Sequence, residues 1–315
     1  MNMTGINPIE QAADLKQYAL IQDIGEIFSR PNFVEKASVN FAGDDGIKLD
    51  NIIGQYQFRD KVKCGIASCG TKHAKGYIAS LSNGQEIMMG HVCGKNNFGV
   101  DFTNKEKEFR ALRIHADQFH ALKAAYEQLE ASRQVFEHTL QHTGKLSFVE
   151  IKNGIYGLVG GGLSYWITQT IKNKVSSLGM IFEEVPKTDE EKAIERHMKG
   201  DESSDTQRYV RDTKNILVAE IENFDVVYQW HEAEKLKDYF EKIHREIRNP
   251  VGMPDDVFKK LVKRLKDYDQ NLQELRRFCV RGNKLLKKDN LIKLTCLFRH
   301  SDEIRAIEQF AGKYG

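Results

Sequence analysis

Three cysteines lie close together in the chain, and they are the side chains best suited to chemistry. Cys64 and Cys69 are separated by four residues, each is followed by glycine, and Cys93 comes after a segment with hairpin character. Thiolates are preferred ligands of Zn²⁺, which takes four ligands in a tetrahedron at structural sites. Glycine lets the backbone turn its amides toward the thiolates. The spacing therefore predicts one structural Zn²⁺ ion bound by Cys64, Cys69 and Cys93.

Two histidines are candidates for the fourth ligand. His91 is the predicted ligand because it lies two residues before Cys93, and alternate residues at the end of a strand face the same way. His73 is the alternative, since it follows Cys69 closely and its side chain could curl back. Four protein ligands leave no open position for a substrate, so a structural role is expected. The competing interpretation is three reduced cysteines buried in a core.

This cysteine segment resembles the treble-clef or zinc-ribbon class of zinc fingers. It is particularly similar to small bacterial and phage modules that read Cys-x-x-Cys-Gly, then a hairpin, then Gly-x-x-Cys. The matching residues are Cys64, Cys69, Gly70, Gly90 and Cys93, within residues 60–100 only. Two features depart from the pattern: four residues rather than two separate the first two cysteines, and the fourth ligand is not fixed.

Basic residues surround the cysteines and outnumber the acidic ones. Zinc modules with basic flanks commonly bind phosphate backbones, and exposed aromatic rings can stack on unpaired bases. The interleaved rings here are Tyr56, Phe58, Tyr77 and Phe98. The residues predicted to contact nucleic acid in this region are Arg59, Lys61, Lys63, Lys72, Lys75 and Lys95.

A second basic stretch lies between residues 255 and 299. It is most concentrated in 276–293, and an acidic segment, 183–208, offsets it in the total charge. Ordinary solvated helix faces are the alternative interpretation of both basic stretches. The residues predicted to contact nucleic acid here are Arg276, Arg277, Arg281, Lys284, Lys287 and Lys288.

Composition limits the class of protein. The 315 residues are 40% hydrophobic and 29% charged, which excludes disorder over most of the chain. The net charge of +2 by itself demands neither a nucleic acid nor a membrane. An odd number of cysteines, five, argues against disulfides. The sequence holds no apolar run long enough to span a membrane, and its first residues lack a secretory pattern, so a cytoplasmic protein without membrane contact is expected.

The pattern of apolar residues predicts a mainly α (α+β) fold, in which a small β-rich zinc-binding module precedes a long-helix bundle or coiled coil. Helices are predicted over 8–30, from a Thr103–Glu106 capping box to Gly144, and from 209 to about Arg248. Apolar residues spaced by three and four over 258–279 predict a coiled-coil seam. Asn83-Gly84 predicts a two-residue hairpin turn. The predicted domains are a helical segment 1–32, a zinc module 33–102, a helical region 103–182 with a glycine-rich turn, an acidic linker 183–208 and a helical bundle 209–315.

Three functions are compatible with these features. The leading one is a non-enzymatic, zinc-stabilised protein that binds DNA or RNA, with helices for self-association or partner docking. The second is a zinc-containing adaptor between proteins, without nucleic-acid contact. The third is a zinc-associated nuclease, because His91, Asn104 and His115 follow the order of an HNH nuclease. The glycine-rich run 157–162 fits neither a Walker loop nor a Rossmann fingerprint and is interpreted as a flexible turn.

Overall fold

Residues 18–38, 46–198 and 211–314 are described by a computed structural model. The chain is a mixed α+β protein in which helix predominates, as the sequence predicts. It forms two compact units. Unit 1 consists of the chain up to Glu127 together with Ile247–Lys263, and unit 2 consists of Gln128–Glu246 and the chain from Arg264 onward.

A four-stranded sheet lies in unit 1. Its strands are β1 (Leu20–Ile21), β2 (Leu49–Lys63), β3 (Lys72–Leu81) and β4 (Glu86–Met89), in the order β1-β2-β3-β4. β1 runs parallel to β2, and the other pairs are antiparallel. The predicted hairpin at Asn83-Gly84 is confirmed, but its loop has three residues rather than two, since Leu81 N–H donates to the Gln85 carbonyl. Gly84 takes the left-handed φ of 82° that such a loop requires.

The helix predicted over 8–30 is wrong at 20–21 and is confirmed only at 24–28, and residues 8–17 lie outside the described residues. Leu20–Ile21 is the extended strand β1, which pairs with Gln55 and Tyr56 of β2. Helix α1 covers Ile24–Phe28 only. Asp23 starts it, because its carboxylate accepts a hydrogen bond from the Gly25 amide at 2.9 Å.

Helix α2 (His91–Glu127) begins directly after β4, and Gly99 interrupts it with φ 54° and ψ −123°. The predicted helix start at a Thr103–Glu106 capping box is therefore wrong. Thr103 Oγ1 donates backward to the Gly99 carbonyl at 3.2 Å, and the Glu106 side chain is buried. Helix α3 (Leu129–His142) follows α2 in the chain.

Unit 2 is built mainly from helices and one antiparallel strand pair. Besides α3, its elements are α4 (Phe148–Tyr156), a π-helical turn (Gly157–Gly161), α5 (Tyr165–Lys174), β5 (Met180–Pro186), α6 (Asp189–Met198), β6 (Thr213–Glu220), a 3₁₀ turn (Phe224–Tyr228), α7 (Trp230–Glu246), α9 (Tyr268–Leu285), α10 (Lys288–Ile292), a second 3₁₀ turn (Lys293–Leu297) and α11 (Ser301–Gly312).

The strand pair β5–β6 corrects two predictions. The helix predicted from 209 is wrong at its start, because 213–220 is extended and pairs with 180–186. The run Ile216-Leu217-Val218 contains two β-branched residues, which favour strand over helix. The predicted acidic linker 183–208 contains the end of β5 and all of α6, and residues 199–208 lie outside the described part of the chain.

The predicted seam over 258–279 is not one helix, and no coiled coil is seen in the described ranges. Helix α8 ends at Leu265 (Asp255–Leu265), and α9 begins at Tyr268. Phe258 of α8 is fully buried in unit 1, where it stacks on His115 of α2 with 4.9 Å between ring centroids. Cys279 of α9 is buried in unit 2.

Within residues 18–38, 46–198 and 211–314, none of the helices has the length and apolar character that crossing a bilayer requires.

Candidate metal centre

The three predicted cysteine ligands meet in unit 1. Cys64 directly follows β2, Cys69 lies in the turn before β3, and Cys93 lies in the first turn of α2. Their sulfur atoms all lie within 4.8 Å of one another, and Cys69 Sγ and Cys93 Sγ are 3.4 Å apart. Such a cluster could bind a metal ion, and its soft sulfur donors are suited to zinc.

Backbone hydrogen bonds fix the turn that carries Cys64 and Cys69. The Cys64 amide donates to the Thr71 carbonyl at 3.0 Å, and the Cys69 amide donates to the Ile66 carbonyl at 2.9 Å. The Gly65 amide donates to the Met88 carbonyl at 2.6 Å, so the turn is held against β4. The first two thiols are therefore positioned by the backbone rather than by a flexible loop.

The thiols differ in their tendency to ionise. Burial raises the pKa of Cys64 to about 12, and burial together with the neighbouring Cys69 raises the pKa of Cys93. Hydrogen bonds from Thr71 lower the pKa of Cys69 to about 7. A metal ion must displace the remaining protons on binding, and in return it neutralises thiolates that would otherwise repel one another in a buried site.

Neither predicted histidine belongs to the cluster of three sulfur atoms. His91 Nδ1 lies 2.9 Å from Glu106 Oε1 instead. His73 Nδ1 lies 2.7 Å from the Tyr56 hydroxyl, and its Nε2 is buried without a hydrogen-bond partner among the described residues. A side chain on Gly90 would collide with the His73 ring, since an added Cβ would lie 2.8 Å from Cδ2. The identity of the fourth ligand stays a prediction.

Glu106 is a site residue that the sequence reasoning missed. It is 5% exposed, and Oε1 accepts from the Tyr77 hydroxyl at 2.7 Å and from Arg110 Nη2 at 2.7 Å, in addition to its contact with His91. Arg110 Nε also donates to the Tyr77 hydroxyl at 3.0 Å. The network ties β3 to α2 beside the residue that begins the helix. A usable signal was present, because Glu106 lies on the same helix face as the buried Phe102 and Phe109.

Six predicted basic residues on β2, β3 and α2 are exposed, and none forms an ion pair with any residue that the structure describes. Lys63 and Lys72 lie directly opposite each other in the β2–β3 pair. Like charges in that arrangement are destabilising unless an anion neutralises them. The six are Arg59, Lys61, Lys63, Lys72, Lys75 and Lys95.

Two of the four aromatic residues of this region are not available for stacking. Tyr56 is fully buried and Tyr77 is 3% exposed, so the interpretation of these two rings as platforms for bases is wrong, whereas Phe58 and Phe98 are half-buried. Phe58 stacks on Tyr56, with 4.8 Å between centroids and 14° between planes. Phe98 packs against the core that contains the cysteines.

The positive charge of the second basic patch, in unit 2, is partly neutralised by ion pairs with acidic residues of the same unit. Arg281 forms an ion pair with Asp225 and also donates to the Asn223 side chain at 3.2 Å. Arg277 pairs with Glu274 at 2.6 Å. The other four predicted residues are exposed and have no ion pair in the described ranges: Arg276, Lys284, Lys287 and Lys288.

The residues of the nuclease hypothesis do not converge. Asn104 and His115 both lie on the uninterrupted part of α2, which separates them by about 16 Å along the helix axis. His115 stacks on Phe258, and His91 contacts Glu106.

Comparison of the chain with protein-family models, with curated proteins and with solved structures found no match. What supports a metal site is therefore the cluster of Cys64, Cys69 and Cys93 alone.

Proposed function

We propose that this chain is a non-enzymatic nucleic-acid-binding protein whose unit 1 is stabilised by one structural Zn²⁺ ion. The observation that supports this most strongly is the cluster of Cys64, Cys69 and Cys93. Structural zinc contributes folding free energy to modules with small cores. The unpaired basic residues around the cluster provide a surface for phosphates.

Two observations favour His73 over His91 as the fourth ligand. Each histidine uses Nδ1 on a neighbouring side chain, but His73 Nε2 is buried without a hydrogen-bond partner in the described part of the chain, and no nitrogen of His91 is in that position. His73 also contacts Tyr56, whose pKa is raised by burial and by the nearby Cys64 and Cys93. Tyr56 thus connects His73 with the part of unit 1 that holds Cys64 and Cys93.

Metal analysis tests the zinc centre. Protein purified without a metal-affinity column should contain about one zinc per chain, and Cys64→Ser/Cys69→Ser should contain none. His73→Asn should lower zinc affinity strongly, while His91→Asn serves as the matched comparison. Equal zinc affinity in His73→Asn and the wild type would contradict His73 as the ligand. Well-folded wild-type protein without zinc would refute the metal centre.

Salt-dependent binding tests the nucleic-acid surface. Labelled single- and double-stranded DNA and RNA are titrated by fluorescence anisotropy at several salt concentrations. Lys63→Ala/Lys72→Ala should weaken binding and reduce the slope of log K against log[salt] by about 2, the effect of losing two phosphate contacts. Lys123→Ala is the control, because Lys123 already pairs with Glu127 at 3.9 Å. Absence of salt-dependent binding to every probe would favour the adaptor instead.

Self-association through the helices is the remaining part of the proposal. Light scattering coupled to size exclusion measures the mass of the particle directly. A mass above 36.1 kDa that falls on dilution would support self-association, and a single-chain mass at all concentrations would contradict it.

A further inference from the structure

A pocket in unit 2 combines aromatic rings with a lysine. Its volume is about 510 Å³, within the range of small-molecule sites. It lies where the end of α4, the π-helical turn, α5, the first 3₁₀ turn and the start of α7 meet. The residues used below are Tyr156, Gly160, Lys172, Tyr228, Trp230 and His231.

The rings of this pocket are open to solvent, unlike those of the zinc module. Tyr156 is 57% exposed and Tyr228 is 56% exposed. Trp230 and His231 lie against each other with 3.4 Å between ring centroids. Aromatic rings left in water at the rim of a concave site are suited to stacking on a planar ligand.

The charge of the pocket favours an anion. Its lining contains no carboxylate, and Lys172 is exposed and has no ion pair with a described residue. Lys152 Nζ lies 5.9 Å from the Trp230 ring centroid, but its charge is balanced by the ion pair with Glu234. The unpaired positive charge of the pocket is therefore that of Lys172, which would repel a cationic ligand and attract a phosphate.

The glycine-rich turn shapes one wall. Gly160 lies against the Tyr156 ring, where an added Cβ would come within 2.5 Å of the ring atom Cδ2. Any larger residue would displace Tyr156 from the pocket wall. Single π-helical turns are rare and occur frequently at functional sites.

We infer that this pocket binds a nucleotide, with the base stacked on the exposed rings of Tyr156 and Tyr228 next to Trp230 and the phosphate paired with Lys172. The same chemistry is presented by a free nucleotide and by an unpaired nucleotide of a single strand. The single-strand case rests on the proposed function, and the free-nucleotide case does not.

Tryptophan fluorescence reports on the pocket directly. The chain has two tryptophans, and Trp166→Phe leaves Trp230 as the only one. This protein is titrated with adenosine monophosphate, with single-stranded oligoadenylate as DNA and RNA, and with a duplex of equal length. Saturable quenching is expected with adenosine monophosphate, with the single strand, or with both. Quenching by the mononucleotide identifies a free nucleotide as ligand, and quenching by the strand alone identifies nucleic acid.

Matched variants locate the binding. Tyr228→Ala should weaken affinity about 10-fold, as the loss of one stacked base does. Lys172→Ala should weaken it and reduce its dependence on salt. Tyr165→Ala is the control, because Tyr165 is 79% exposed and lies outside the pocket lining. Circular dichroism checks that each variant is folded.

Two outcomes would overturn the inference: no saturable quenching by either single-stranded or free nucleotide, or an equal loss in Tyr165→Ala and Tyr228→Ala. Salt-dependent duplex binding that Lys63→Ala/Lys72→Ala weakens would then leave the proposed function intact. Conversely, quenching by adenosine monophosphate in a protein that binds no polymer would support the pocket and refute the proposed function.

Discussion

Glu106 carries the polar network of unit 1, and replacing it tests the reasoning about that unit. Its Oε1 accepts from Tyr77 and Arg110, and His91 Nδ1 lies 2.9 Å away. The Tyr77 hydroxyl is buried with the carboxylate. Glu106→Ala removes the acceptor and leaves that hydroxyl proton without a partner.

The expected loss of stability is about 3 kcal/mol. A buried donor left without an acceptor costs about 1–3 kcal/mol. The lost attraction to Arg110 adds less than about 1 kcal/mol, because the arginine side chain is 57% exposed and well solvated. Removal of the one buried γ-methylene contributes about 0.8 kcal/mol more. Glu106→Gln keeps the shape and an acceptor oxygen, so it should cost less than Glu106→Ala.

Amide hydrogen exchange measures this loss in unit 1 separately from unit 2. Peptides from 72–81 and 91–127 should exchange about 100-fold faster in Glu106→Ala, the equivalent of about 3 kcal/mol. Glu108→Ala is the control on the same helix, since Glu108 is 66% exposed and should cost less than about 0.5 kcal/mol. Equal exchange in the two variants would refute the role given to Glu106. In the Glu106→Ala background, Tyr77→Phe should cost little further stability, because the hydroxyl has already lost its acceptor. If the losses of the two single variants add up in the double variant, Glu106 and Tyr77 are not coupled.

Three further predictions concern both units. Gly94→Ala should destabilise unit 1 by about 1–3 kcal/mol, because its Cβ would lie 2.3 Å from the Phe102 ring. Adding Phe102→Leu to Gly94→Ala should restore part of the lost stability, as measured by hydrogen exchange of 91–127. Unchanged stability in Gly94→Ala would contradict this close packing. Asn290→Ala should cost about 2–3 kcal/mol in urea unfolding followed by tryptophan fluorescence, because Asn290 bonds both the amide of Glu222 at 2.9 Å and its carbonyl at 3.1 Å. A change in the free energy of unfolding below about 0.5 kcal/mol would refute the stabilising role given to these two hydrogen bonds. Burial lowers the pKa of His244, so the unfolded chain takes up its proton more readily and the free energy of unfolding should fall as pH drops below about 6.5. The free energy of unfolding should fall less with pH in His244→Gln. Identical pH profiles of the two proteins would contradict the role given to His244.

Local signals predicted the cluster of three cysteines and the hairpin that precedes Cys93. The turn between β3 and β4 follows from Asn83-Gly84. The thiols meet because Cys64 ends one strand, Cys69 ends the next turn and Cys93 begins a helix, all of which are short-range consequences of the sequence.

Contacts between distant residues account for the failures. Thr103 and Glu106 match a capping box, but Glu106 is bound by Tyr77, which lies 29 positions earlier in the chain. No local pattern reveals such a partner. The three-and-four spacing continues from α8 into α9 although the helix stops between them, because two separate helices each bury an apolar stripe. The apolar run 216–218 is compatible with a helix or a strand. It is a strand because Ile216 pairs with Glu183 and Leu217 pairs with Phe182.

The division of unit 1 into two separated stretches of chain has a consequence for synthesis on the ribosome. Phe258 and its neighbours fill a place beside His115 that stays empty until 247–263 has emerged. At about 5–20 residues per second, translation from 127 to 263 takes about 7–27 s. During that interval the nascent chain presents an uncovered apolar face on α2, which is the kind of surface that chaperones bind. A fragment ending at Glu127 would retain that face permanently, so expression of the amino-terminal stretch alone should give aggregation-prone protein unless 247–263 is supplied as a peptide.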